Sequence, residues 1–278
     1  MPRLGQHFLK NTAAMKKIVE ALALKSDDTV IEIGPGHGEL TSELRNKNQE
    51  ARIIAIEKDD ELCKSLEMKI GEGKMKNIEV IHGDALKILS SLIRKLSARD
   101  GSTFGGKSEN FKLTGNIPYY ITGKLLRLMS ELKEKPERCV FMVQKEVAER
   151  IAATPPRMNR LAAMVQFWMI PETIMTLGKE SFSPPPTVDS AVIGLKRKRI
   201  SQKTWRAYER TAKLLFAQPR KTLLNNIVPK GDVRTKKLIA ETLKKAGINP
   251  LDRPQNLSTE EIKNVAALLS VLRIPALH

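Results

Sequence analysis

Apolar positions change their period repeatedly along this chain. In "AAMKKIVEALAL" the residues Met15, Ile18, Val19 and Leu22 recur at helical spacing and predict an amphipathic helix. "DDTVIEIGPGHGEL" then reads as a polar turn, a short apolar strand and a glycine turn, and "LTSELRNK" as a helix. The same alternation repeats. "ARIIAIEKDD", "NIEVIHGDA", "FKLTG" and "RCVFMVQ" read as strands. "DELCKSLEMKI", "LKILSSLIRKL", "GKLLRLMSELK" and "KEVAERIAA" read as the helices between and after them. "NRLAAMVQFWM" predicts another helix, and two further strands fall near "ETIMTLG" and "SAVIGLKRK". "SARDGSTFGGKSEN" is polar, rich in Gly and Ser, and predicts a flexible loop over 97–110. Alternating strands and helices predict an α/β fold with a doubly wound, mostly parallel, Rossmann-like sheet and right-handed crossovers. After Arg199 the pattern becomes helical only, in "TWRAYERTAKLLFA", "RKTLLNNIV", "VRTKKLIAETLKKAG" and "STEEIKNVAALLSVL". A smaller all-helical C-terminal domain over 199–278, following an α/β domain over 1–198, is the expected organisation.

Charge sharpens that boundary. The 278 residues carry a net charge of +17. From Lys196 onward there are 19 Lys and Arg against 6 Asp and Glu, a net of +13, while the preceding residues carry 29 against 25. Such asymmetry points to a polyanionic partner, nucleic acid before an anionic membrane surface. The 41% hydrophobic content supports a buried core. Cys63 and Cys139 stand far apart without a C-x-x-C or a His cluster, so neither a metal site nor a disulfide framework is expected. No apolar run approaches the roughly 20 residues of a membrane span. "MPRLGQHFLKN" lacks the apolar core of a secretory signal, so a cytoplasmic protein is expected.

The candidate chemistry lies at predicted strand ends. Gly34, Gly36 and Gly38 form G-x-G-x-G after the first long strand, where ligands bind in open α/β sheets. No Gly-Lys-Ser/Thr follows, so this is not a P-loop. Glu39 stands where a dinucleotide fold would have its third Gly, and an acid there would repel a pyrophosphate. The loop suits a ligand without phosphate, although an ordinary tight turn would use the same glycines. Glu57 ends the second strand and could accept both hydroxyls of a ribose. Asp84 ends the third and could accept from an adenine amine. Either acid alone reads as readily as a helix N-cap or a solvated turn residue. Together, ribose, adenine and a glycine-cradled tail describe S-adenosylmethionine.

At the fourth strand end stands Asn116-Ile117-Pro118-Tyr119. An adenine amine is a poor nucleophile because its lone pair is delocalised into the ring. Two acceptors facing its N–H groups would localise that pair. The Asn116 side-chain oxygen and the Pro118 carbonyl are the candidates. Tyr119 offers a face for an extruded base, worth roughly 1–3 kcal/mol per base. Catalysis would then be positioning plus electrostatics, with no strong general base. As an isolated motif, Asn116 could equally be a turn residue and Tyr119 a core aromatic.

These segments resemble a known family in order: "LGQHFL", "IEIGPGHGELT", "IAIEKD", "VIHGDAL", "GNIPYYI", "FMVQKEVAER", "FSPPPTVDSAV" and "FAQPRKTLLNN". The chain is similar to the small-subunit ribosomal RNA adenine N6,N6-dimethyltransferases. The resemblance implies a class I methyltransferase domain over 1–198 and a basic RNA-binding domain over 199–278. It implies methyl transfer from S-adenosylmethionine to two adjacent adenosines near the 3′ end of small-subunit rRNA, and a possible further role in subunit biogenesis. It places Gln6, His7, Leu9, Gly34, Gly36, Glu57, Asp84 and Asn116 by the cofactor. Asn116, Pro118 and Tyr119 fall at the target base, with Phe182 as its second stacking face. The expected partner is small-subunit rRNA within a ribosomal subunit or its precursor, with the protein a monomer. Tyr120 and "TPPRMNRLAAMVQFW" resemble archaeal or eukaryotic members. The competing readings are a large-subunit rRNA adenine methyltransferase of the antibiotic-resistance type and a non-catalytic assembly factor on the same fold. A nicotinamide oxidoreductase is disfavoured by the missing third glycine.

Overall fold

A computed structural model of the chain describes residues 7–72, 77–97, 111–228 and 233–272. Most of the loop expected over 97–110, and Gln6, lie outside the described residues. The described residues fall into two compact units, one within 1–148 and 170–197, the other within 149–169 and 198–278.

The first unit begins with β1 (Phe8–Leu9), α1 (Thr12–Leu22), β2 (Thr29–Ile33), α2 (Glu39–Lys47), β3 (Arg52–Glu57) and α3 (Asp60–Glu72). It continues through β4 (Ile78–His82), α4 (Ala85–Ser97), β5 (Phe111–Asn116), α5 (Thr122–Glu131) and β6 (Arg138–Gln144), and the chain passes into the second unit within α6 (Lys145–Ala152). β7 (Met169–Leu177), β8 (Phe182–Ser183) and β9 (Ser190–Arg197) complete the strands. Seven strands form one sheet in the order β4-β3-β2-β5-β6-β9-β7. β4, β3, β2, β5 and β6 pair in parallel, while β9 runs antiparallel to β6. The expected doubly wound, mostly parallel sheet is therefore present. Its strand order reverses at β2 and β5, and the cleft at such a reversal is where open α/β sheets bind ligands.

Local sequence explains the elements. Asn11 caps α1, its side-chain oxygen accepting the Ala14 N–H at 3.0 Å. Met15, Ile18, Val19 and Leu22 then face a core shared with Val30, Ile53, Val140 and Val192. The central parallel strands β2, β3, β5 and β6 are buried on both faces because helices cover both, whereas the edge strand β4 is part-exposed. β1 and β8 are different. They form a separate two-stranded sheet, with Phe8 opposite Ser183 and Leu9 opposite Phe182.

Under the sheet's amino end lies a buried ion pair. Lys112 and Asp28 are 1% and 0% exposed, with Nζ and Oδ2 2.6 Å apart. Asp28 also accepts the Lys25 N–H at 2.6 Å, and Lys112 donates to the Ala23 carbonyl at 2.5 Å. Ala23 is in the left-handed conformation that ends α1. The pair thus joins the end of α1, the entry to β2 and the start of β5.

The second unit contains α7 (Arg160–Trp168), α8 (Gln202–Leu215), α9 (Leu223–Ile227), α10 (Val233–Lys245) and α11 (Thr259–Val271). α8 packs against α7, α9 and α11. Its Tyr208 ring lies 4.1 Å from that of Phe167, and its hydroxyl donates to the Ala163 carbonyl at 2.9 Å. Ser258 and Glu261 form a capping box at the start of α11. No described helix is long and apolar enough to cross a membrane.

Removing one partner of a buried pair strands the other charge. Lys112→Met should therefore lower the unfolding free energy by about 3–5 kcal/mol in urea titrations at neutral pH. A change within the error of the titration would show that the pair does not anchor these elements.

Candidate active site

A cavity of about 240 Å³ opens over the carboxyl ends of β2, β3, β4 and β5. Its walls include Gly34 and Gly36, then Glu57 and Lys58, Asp84, and the run Asn116 to Ile121. Backbone hydrogen bonds hold these loops in step just beyond the strands. Gly34 N–H donates to Ile56 C=O at 3.0 Å, and Gly83 N–H to Glu57 C=O at 2.7 Å. Close packing at Gly115 brings the fourth loop in. A Cβ there would lie 2.2 Å from the Ile33 carbonyl oxygen, so only glycine lets β5 end beside the glycine loop. Gly36 has φ +59°, and a Cβ on it would meet the Phe8 ring at 2.9 Å. The N-terminal segment therefore lies directly over the glycine turn.

Asn116 is the last residue of β5. Its Nδ2 donates to the His7 carbonyl at 2.6 Å. A carbonyl can only accept, so the amide nitrogen must face His7 and Oδ1 must face away. Among the described residues no donor reaches that oxygen. His7 is itself held: its Nδ1 is 2.8 Å from the Pro184 carbonyl, which makes Nδ1 the protonated nitrogen. The β1–β8 pairing and a Lys10 N–H to Ser181 C=O bond of 2.8 Å complete the anchor.

The two tyrosines diverge. Tyr119 stacks on the His7 ring, with centroids 6.1 Å apart, and its hydroxyl is 2.9 Å from Ser190 Oγ. Tyr120 is 56% exposed at the cavity rim. Pro118 precedes the short 3-10 turn Tyr119–Ile121, and its carbonyl accepts the Ile121 N–H at 3.0 Å. It also accepts a long bond from Thr122 Oγ1 at 3.5 Å, so that carbonyl is already engaged by two donors, one of them weakly.

The acids are also pre-oriented. Glu57 Oε1 accepts the N–H groups of Lys58 and Asp59 at 2.8 and 2.9 Å, and Oε2 accepts that of Gly36 at 3.1 Å. Asp84 Oδ1 accepts the Leu86 N–H at 3.0 Å, at the start of α4, and Oδ2 pairs with Lys58 Nζ at 3.1 Å. Burial raises the Asp84 pKa, but the Lys58 hydrogen bond, the Leu86 N–H and the charges of Lys58 and Lys87 outweigh it, leaving it below the usual range.

His7, Gly34, Gly36, Glu57, Asp84, Asn116, Pro118 and Tyr119 thus meet at one cavity. Leu9 and Phe182 do not line it. Leu9 lies behind it, in a smaller cavity shared with Glu32, Gly34, Gly36 and Asn116. Phe182 is 2% exposed and packs in the core with Leu9, so its ring is not presented as a stacking face. β8 pairs it with the N-terminal strap, which turns it inward.

Two residues that sequence reasoning passed over belong here. Lys58 was obscured by the acids on either side. Glu32 sits within the apolar run "TVIEI", and an acid in a doubly covered strand is the signal that could have found it. It is 1% exposed and accepts from Thr41 Oγ1 at 2.7 Å. Burial raises its pKa to about 7; the Thr41 bond opposes the shift, and the charges of Glu57 and Glu39 add to it.

The residues fit a phosphate-free nucleoside ligand. Glu57 and Asp84 supply acceptors for hydroxyls and an amine, and the glycine turn leaves room for a tail. The family described as "Ribosomal RNA adenine dimethylase" matches residues 1–270. The chain belongs to the ribosomal RNA adenine dimethylase family. It is 38% identical, over 94% of its length and 85% of the relative's, to a "Ribosomal RNA small subunit methyltransferase A" of Dehalococcoides mccartyi. Among solved structures it is similar to a dimethyladenosine transferase of Plasmodium falciparum, with TM-score 0.76, 26% identity, and coverage of 96% of this chain and 99% of that one. It is also similar to the 23S rRNA methyltransferase ErmE, with TM-score 0.71, 25% identity and coverage of 95% and 99%. Bacterial relatives dominate, so the affinity is to the family as a whole and not specifically to its archaeal or eukaryotic members.

Glu32 carries a pH signature. The folded protein holds its proton to about pH 7, whereas the unfolded chain releases it near 4.5. Between those values the native state binds more protons, so this contribution to stability is lost as pH rises, by about 3 kcal/mol in all. Urea titrations at pH 5 and pH 8 should show Glu32→Gln gaining stability relative to the parent at the higher pH. Identical pH dependence in both proteins would contradict a buried neutral carboxyl.

Proposed function

We propose that this protein transfers methyl groups from S-adenosylmethionine to the N6 amines of two adjacent adenosines near the 3′ end of small-subunit rRNA. The observation that carries the proposal is the Asn116 amide, turned by the His7 carbonyl so that its acceptor oxygen is the free end. The oxygen stands where the strand ends of an adenosine-sized cleft converge. When bound, S-adenosylmethionine supplies a methyl already activated on a sulfonium.

Asn116 Oδ1 and the Pro118 C=O, once the long bond from Thr122 Oγ1 gives way, accept the two amine N–H groups and localise the nitrogen lone pair. Tyr119, braced by Ser190 and His7, stacks on the extruded base. Glu57, through the lone pair left on Oε2, would accept from a ribose hydroxyl and Asp84 from the cofactor's adenine amine, while Gly34, Gly36 and His7 would border the tail. Leu9 supports that wall from behind, and Gln6 keeps the place beside the cofactor that the resemblance gives it. Phe182 is assigned no contact with the base. The helical unit presents Arg206, Arg210, Arg220, Lys221, Lys244 and Lys245 to solvent. These suit rRNA phosphates, which position without reading sequence. The protein acts as a cytoplasmic monomer on a ribosomal subunit or its precursor.

The likeness to ErmE keeps large-subunit rRNA as the competing substrate. Relatives named for the small subunit match with higher identity, 38% against 25%, and they favour the first reading.

With labelled S-adenosylmethionine, purified unmethylated small subunits should incorporate methyl and large subunits should not. Preferential labelling of large subunits would overturn the substrate assignment. Asn116→Ala should cut transfer by about 100-fold or more while cofactor binding, read by calorimetry, stays detectable. Full activity in that variant would remove the proposed role of the turn.

A further inference from the structure

Lys58 places a cation beside the two acids that line the cleft, Glu57 and Asp84, and the proposed chemistry leaves it without a task. It follows Glu57 at the end of β3 and crosses to Asp84 at the end of β4. An aspartate carboxylate has a broad χ2 and is not held by its own rotamer. Here it is held from both sides. The backbone N–H of Leu86 takes Oδ1 and the Lys58 ammonium takes Oδ2. Each bond uses one lone pair, and the others stay available to a donor in the cavity.

Charge fits the same arrangement. A free lysine would oppose a sulfonium ligand, but this one is matched by the carboxylate it touches. The Lys58 pKa is raised by the Asp84 hydrogen bond first, then by the charges of Asp84 and Tyr120. Tyr120 therefore sits close enough to border the same rim. An ion pair of this kind on an open surface would contribute little. Within the cleft, its consequence is the direction in which Asp84 points.

We infer that Lys58 is a positioning residue that aims the Asp84 carboxylate at the exocyclic amine of the cofactor's adenine, and so sets the cleft's preference for an aminopurine over an oxopurine. The inference rests on the reading of Asp84 as that amine's acceptor. A site built to accept from an amine rejects an analogue lacking it, because the acceptor is left unpaired. Discrimination should suffer when the acceptor is free to rotate, even though it is still present.

Calorimetry with S-adenosylhomocysteine and its deaminated analogue S-inosylhomocysteine provides the test. The wild-type protein should prefer the adenine compound by about 10-fold or more. Lys58→Met keeps the aliphatic stem and removes the ammonium; it should bring the two Kd values to within about 3-fold of each other. Lys58→Arg should restore the preference, and the melting temperatures of both variants should match the parent. Asp84→Ala should abolish the preference. A Lys58→Met protein with wild-type discrimination, beside an Asp84→Ala protein without it, would overturn the role of Lys58 alone. An Asp84→Ala protein that still discriminates would overturn the reading of Asp84 and this inference with it.

Discussion

The hydrogen bond from Asn116 Nδ2 to the His7 carbonyl decides which end of the amide is available, and much of the first unit exists to keep it in place. An asparagine at the end of a strand can present either a donor or an acceptor. A backbone carbonyl opposite removes the choice. His7 reaches that position because β1 pairs with β8, nearly the whole unit away in sequence, and because its own ring is tied to Pro184. Gly115 completes the fit by letting β5 close against the end of β2. The turn's chemistry thus depends on backbone geometry at two remote places as much as on the Asn-Ile-Pro-Tyr sequence itself.

The second organising feature is how the cleft manages its negative charge. Glu32, Glu57 and Asp84 sit at three successive strand ends, which is costly unless each charge is answered. The structure answers them in three ways. Glu32 is buried and holds its proton to about pH 7. Glu57 is satisfied by three backbone N–H groups. Asp84 is paired with Lys58 and capped on α4. What remains is a set of oriented acceptors, suited to hydroxyls, an amine and a cationic centre, and unsuited to phosphate.

Much of this was legible in the chain because it rests on local pattern. Strands buried on both faces read as apolar runs, their helices as 3.6-residue periods, and site residues fell at strand ends because the parallel topology brings those ends together. Glu57, Asp84 and Asn116 were found this way, and the cavity unites them. The rest depended on non-local contacts. β1 and β8 are two residues each and carry no period, so their pairing, and the burial of Phe182 that follows from it, left no trace in the pattern. The engaged Pro118 carbonyl arises from a 3-10 turn that the pattern did not resolve. Lys58 and Glu32 take their meaning from the partners the fold gives them.

The central claim is that Asn116 acts through an acceptor oxygen aimed by its own amide nitrogen. Asn116→Asp tests it most directly, because the variant keeps an acceptor of the same size but cannot donate to His7. Single-turnover methyl transfer to small subunits should fall by about 100-fold in Asn116→Asp, with S-adenosylmethionine binding within a few-fold of the parent. Transfer at the wild-type rate would contradict the account, since it would mean that the acceptor needs no aiming by the strap.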